Sequence, residues 1–204
     1  MSDKYLEPYR ESAERHGTDF GVTLWADEGT QRLRFKVFAQ MCPFAGKRIL
    51  DAGCSRGDLA AYLIEHDIAY EHFVGVDGLD QVIEYANGRG LANSEFHAGD
   101  FLRNPGLLSV GEPDVICISG ALNTMTDSHV QQVLESSWSA AREVLMFNFL
   151  SNRAGSGAWL QLGPARRLDT FKLMDWALSK TWCVSFRQDY FKHGHDATIL
   201  MRKT

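Results

Sequence analysis

The chain has 204 residues, 45% hydrophobic and 23% charged, which is the composition of one globular domain able to bury roughly 70% of its unfolded surface. A formal net charge of −5 sets up no positive field for nucleic-acid phosphates, and the densest cationic stretch (Arg32, Arg34, Lys36, Lys47, Arg48) is diluted by Asp27, Glu28 and Asp51. The polar start "MSDKYLEPYRES" lacks the apolar core of a signal peptide, and no run reaches the roughly 18 apolar residues of a membrane span, so a cytoplasmic protein away from membranes is expected.

After that start, Glu28 to Met41 places Leu33, Val37 and Met41 at helical spacing, and Pro43 and Gly46 end the helix. A buried strand, "RILDAG", runs into a helix from Asp58 to Glu65. Strand and helix then alternate: "HFVGVD", "LDQVIEYAN", "SEFHAG", "PDVICISG", a helix from Asp127 to Ala141, and "REVLMFNFL". His97, inside the third strand, reads as a packed residue. Alternation of this kind predicts parallel strands with right-handed crossovers, and the apolar runs "DVICI" and "EVLMF" predict a sheet covered on both faces.

The rhythm changes at the end. A helix from about Pro164 to Lys180 precedes "TWCVSFRQDY" and "HDATILMRK", whose connection is too short for a parallel crossover, so the last strand is expected to be antiparallel. The fold expected is α/β: a Rossmann-like, seven-stranded, mostly parallel sheet with an antiparallel last strand and helices on both faces. Residues 1–45 form an N-terminal helical cap on a core of 46–204. Cys42, Cys54, Cys117 and Cys183 make no CxxC pair, fitting a reducing compartment, and Cys117 and Cys183 lie in apolar runs where a buried thiol is expected.

Between the first strand and its helix lies "ILDAGCSRGDL". Gly53 and Gly57 let backbone approach a ligand, and the helix N-terminus adds oriented N–H groups. Asp77 ends the second strand, where a carboxylate can accept both ribose hydroxyls. The glycine spacing differs from the dinucleotide pattern GxGxxG, and Asp51, two residues before Gly53, would sit badly beside a pyrophosphate but well beside a cationic amine. A nicotinamide oxidoreductase is disfavoured further by the lack of a YxxxK pair.

In these residues the chain resembles the class I S-adenosylmethionine-dependent methyltransferases: "DAGCSRG", the acid of "VGVDG", the Gly99-Asp100 pair of "HAGDF", and Asp114 opening the fourth strand follow that order over roughly residues 46–204. The resemblance implies S-adenosylmethionine as cofactor. It implies Asp51 and Gly53, with Cys54 and Gly57 in the same turn, near the methionine amino group, and Asp77 with Gly78 on the ribose. It also implies Asp100 and Phe101 at the adenine edge, and Ser119 and Gly120 near the methyl group. Ser55 stands where the family has its middle glycine. The segment "LWADEGTQRLRF" resembles a helix before the core that closes over the cofactor in some members, with Gln31 and Arg34 facing the methionine carboxylate.

Two segments belong at the ligand edge of the sheet. The loop after the fifth strand carries Ser151, Asn152 and Arg153, with Asn148 interrupting the apolar run before it. The connection "DYFKHGHDAT" carries Tyr190, His193, His195 and Asp196; His195 first and Tyr190 second are the candidates for positioning substrate or acting as general base. His193 and His195 with one acid make an incomplete metal site, so no metal is expected. The methyl acceptor expected is a small molecule rather than RNA or protein; a non-catalytic methyltransferase-like binding subunit is the alternative.

Overall fold

A computed structural model describes residues 4–158, 160 and 163–204; the first three residues of the expected cap lie outside the described residues. Two helices precede the sheet, α1 (Glu7–His16) and α2 (Glu28–Met41). Then come β1 (Arg48–Ala52), α3 (Asp58–Glu65), β2 (His72–Asp77), α4 (Asp80–Gly88), β3 (Ser94–Ala98), β4 (Val115–Ser119), α5 (Asp127–Ala140) and β5 (Val144–Leu150). The chain ends with α6 (Thr170–Lys180), β6 (Val184–Arg187) and β7 (Asp196–Arg202).

The seven strands form one sheet in the order β3-β2-β1-β4-β5-β7-β6. β7 runs antiparallel to both its neighbours, so β6 points the same way as the other five. Alternate side chains leave the sheet on opposite faces. Leu50, Ile116, Leu145 and Phe147 pack into one core with α5 and α6, while Ile49, Cys117 and Met146 pack into the other with α2 to α4. Apolar packing on both faces explains why β4 and β5 read as continuous apolar runs.

Where sequence and structure differ, the cause is local. α6 begins at Thr170 rather than near Pro164, because Asp169 caps it by accepting from the Phe171 and Lys172 N–H groups. β6 is only four residues long and sits at the sheet edge, which leaves Cys183 exposed instead of buried; the other three cysteines are buried. His97 is not packed away either: its ring lies on the outermost strand β3, half exposed, against Glu95. α1 gave little sequence signal, since Ser12 and Ala13 are the residues buried within its ten.

Candidate active site

The strand order reverses between β1 and β4, and the carboxyl ends of those strands open a crevice where α/β proteins place ligands. The turn after β1 is fixed by Gly53 and Cys54, whose N–H groups donate to the Val76 carbonyl at 2.8 and 3.1 Å. Gly53 has φ +83°, and a Cβ there would stand 2.6 Å from that of Ala121, so the β1 and β4 turns pack with no room for a side chain. On the β4 side, Asn148 accepts from the Gly120 N–H at 2.9 Å and donates to Ser119 at 3.3 Å, which holds that turn from the buried end of β5. Ser151, Asn152 and Arg153 follow β5 at the same edge as Asp77, as expected of parallel strands.

A cavity of about 300 Å³ fills the crevice. Its floor is Asp51, Gly53, Cys54 and Ser55, with Asp77, Gly78 and Leu79 at the β2 end and Ser119, Gly120 and Ala121 at the β4 end. Phe101 also lines it. Its roof comes from the N-terminal segment, through Tyr5, Leu6, Tyr9, Trp25, Gln31 and Arg34. Asn123, Met125, Leu150, Leu160, Pro164 and His195 line the far end.

The floor is acidic. Asp51 is buried, its Oδ1 has no hydrogen-bond partner among the described residues, and burial, with Asp77 and Asp58 adding repulsion, pushes its pKa up to about 8. Asp77 accepts from the Ser55 and Leu79 N–H groups at 2.9 and 3.1 Å; burial still wins and pushes it up to about 6. A carboxylate has lone pairs to spare beyond those two bonds.

The roof and far end hold cations that this chain itself engages. Arg34 is buried, ion-paired with the buried Asp196, and lies between the rings of Trp25 and Phe191 at 4.0 and 4.5 Å. Gln31, one helical turn away, donates to Asp58 at 3.4 Å. Trp25 lies against Gly120, whose Cβ would be 2.4 Å from its ring. His195 is buried, and Arg167 approaches its Nδ1 at 3.0 Å. A guanidinium only donates, so Nδ1 accepts and the ring proton sits on Nε2. Burial, then Arg167 and Arg34, lowers His195 to about 4.

Three sequence candidates stand outside the cavity walls. Gly57, at φ +73°, starts α3, and a Cβ there would strike the Phe96 ring at 2.8 Å, so it serves the turn's packing. Asp100 turns away to accept from Tyr5, a hydroxyl of the cap. Tyr190 bonds Thr198 at 2.8 Å beside the sheet, and its hydroxyl is pushed up by burial first and then by Asp196, which unsuits it as a base. Asp51, Gly53, Cys54, Asp77, Gly78, Phe101, Ser119, Gly120, Gln31, Arg34 and His195 do meet in one cavity. Sequence reasoning missed Tyr5, Tyr9, Trp25 and Asn123; three aromatics in a polar leader were the available signal.

A family model described as a methyltransferase domain matches residues 43–151. No curated protein matches the chain in sequence. Among solved structures, the methyltransferase domain of bacterial CtHen1-CN shares 17% identity over 87% of this chain and 100% of its own, with a TM-score of 0.66. Magnesium protoporphyrin IX methyltransferase from Synechocystis PCC 6803 shares 14% over 98% and 96%, with a TM-score of 0.69. Phosphoethanolamine N-methyltransferase 1 from Haemonchus contortus shares 12% over 98% of this chain and 48% of its own, with a TM-score of 0.71.

Proposed function

Since the chain belongs to the methyltransferase domain family and is a class I enzyme dependent on S-adenosylmethionine, we propose that its methyl acceptor is a small molecule that reacts inside the cavity. The observation that carries this reading is the enclosure. Tyr5, Trp25 and Arg34 from the N-terminal segment wall the crevice over, and about 300 Å³ is the lower end of the range for ligand pockets. With the cofactor in that space, the cap narrows the approach to it, which suits a compact acceptor and not a folded polymer. The Synechocystis and Haemonchus enzymes are, by name, methyltransferases of small molecules.

The walls fit the cofactor. Asp51 Oδ1, buried and without a partner, suits an ammonium group, and Gly53 and Gly120 leave space that any Cβ would fill. When bound, S-adenosylmethionine supplies an electrophilic methyl group on a sulfonium sulfur. Asp51, Gly53 and Cys54 receive the amino-acid end, Asp77 and Gly78 the ribose, and Phe101 the base. Ser119 and Gly120 border the reacting carbon. Gln31 and Arg34 wall the cavity from the cap, Arg34 with its charge already met by Asp196. His195, neutral at physiological pH, positions the acceptor at the far end. This division of labour treats residues 1–45 as a cap on the core of 46–204. With no helix among the described residues long and apolar enough to cross a membrane, and four unpaired cysteines, we place the enzyme in the cytoplasm.

The test is a labelling experiment. Protein and methyl-labelled S-adenosylmethionine are mixed with a cell extract separated into small-molecule, RNA and protein fractions. The label is expected in the small-molecule fraction; label confined to RNA or protein overturns the proposal.

A further inference from the structure

Asp100, the acid that resemblance sends to the adenine, does not line the cavity; the residue that does is Tyr5, ninety-five positions earlier. The Tyr5 hydroxyl donates to Asp100 Oδ1, which also accepts from the Leu102 and Arg103 N–H groups at 2.9 and 3.2 Å. Asp100 is thus fixed at the head of its own turn with Tyr5 latched to it. The Tyr5 side chain is only 7% exposed and its ring meets His129 edge-on at 5.9 Å, so its position is set from two sides. Its neighbour Leu6 rests on Gly78, where an added Cβ would come within 3.0 Å of Leu6 Cδ1. The start of the cap therefore lies directly over the β2 end, beside Asp77, Gly78 and Phe101.

We propose that Tyr5 is a cofactor-binding residue whose ring closes the nucleoside end of the cavity, and that Asp100 is a positioning residue that holds the Tyr5 hydroxyl. This rests on S-adenosylmethionine occupying the cavity as described above. Burial first, and the bond to Asp100 second, push the Tyr5 hydroxyl up, so it remains the donor throughout the physiological range. The rival arrangement, with Tyr5 absent from the site and Asp100 meeting the base directly, makes the opposite demand on the pair.

A double-mutant cycle separates them, read by calorimetry with S-adenosylhomocysteine and, separately, adenosine. Tyr5→Phe and Asp100→Ala are each expected to weaken both ligands by about tenfold, and the double variant by no more than about twofold beyond either single one, because the same Tyr5–Asp100 bond is lost in all three. Adenosine should lose the same factor as the full ligand, a result that general loosening of the fold does not produce. Thermal unfolding of each variant runs in parallel, Phe being near isosteric for Tyr. Independent losses that multiply, or an unchanged Tyr5→Phe beside a weakened Asp100→Ala, overturn the proposal while leaving the methyltransferase reading intact. An unmodified protein that binds neither ligand overturns both.

Discussion

The two ends of the cavity are charged in opposite ways and settle their charges differently. At the β1 and β2 end, Asp51 is buried with the half-buried Asp77 near it, both pushed upward, and Asp51 Oδ1 has no hydrogen-bond partner among the described residues. At the far end, Arg34 is joined to Asp196 and Arg167 to His195, so each cation is engaged by the chain itself. A buried charge without a partner is costly and calls for a counter-ion; a buried pair is complete. The first end thus waits for a ligand cation, and the second is a finished wall that acts by shape.

The contrast is broken most forcefully at Arg34. Arg34→Met should leave Asp196 buried without its partner and remove the cation from between Trp25 and Phe191. Stability should fall by about 3–5 kcal/mol, measured by urea unfolding. Adding Asp196→Asn should recover much of the loss, since the stranded charge goes too. If Arg34→Met were as stable as the parent but unable to bind cofactor, the wall would not be complete, and Arg34 would be reaching for a ligand carboxylate.

The opposite end is tested by Asp51→Asn. A raised pKa near 8 means that the ligand-free protein keeps a proton that the unfolded chain releases in the ordinary carboxylate range. Asp51 therefore costs stability as pH rises through that window, to about pH 8. An ammonium ligand needs the ionised form, so cofactor affinity should rise with pH below about 8, by at most about tenfold per unit, and then level off. Asp51→Asn should weaken S-adenosylhomocysteine by about 2 kcal/mol at pH 8 and flatten that slope. A parent protein with level affinity from pH 6 to 8 would mean that no cation meets Asp51.

Asp77→Ala makes the next smaller change. The lost bonds predict about 1–3 kcal/mol of weakened binding, with the slope due to Asp51 still present above pH 6. Unchanged affinity by calorimetry would remove Asp77 from the ribose.

Which parts were legible in the sequence follows the same division. The acid end is local: Asp51, Gly53, Cys54 and Asp77 sit at strand ends that periodicity located, and two glycines at set distances announced a tight turn. The far end depends on pairs remote in sequence. Nothing in the spacing of Arg34 and Asp196, or of Arg167 and His195, says that they meet; a seven-stranded sheet in a particular order brings them together. Tyr190 shows the limit well. The loop was delivered to the correct edge of the sheet, yet which of its side chains turned inward depended on Thr198, one strand position that sequence could not orient. Tyr5 failed for a related reason, because α1 buries too little to carry a periodic signal.

The smallest effect is expected at His195, and it decides whether the finished wall takes part in proton transfer. Its pKa, lowered to about 4, lies below the ordinary imidazole value, so the unfolded chain binds the proton first and His195 costs stability as pH falls from about 6.5 to about 4. Between pH 5.5 and 7.5 it stays neutral and should add no limb to the rate of methyl transfer. The Nδ1 lone pair already faces Arg167, which leaves the imidazole a poor base for deprotonating an acceptor atom. Single-turnover transfer by His195→Ala is therefore expected to slow by less than about tenfold, with cofactor affinity unchanged, whereas loss of a general base removes about 10²–10⁴-fold. Arg167→Met supplies the sharper reading: with the guanidinium gone, the imidazole pKa should climb, and a limb should enter the profile from the acid side. A loss of the larger size in His195→Ala, with the protein folded and the cofactor bound, would show that the tautomer exchanges during turnover and that the far end does chemistry as well as giving shape.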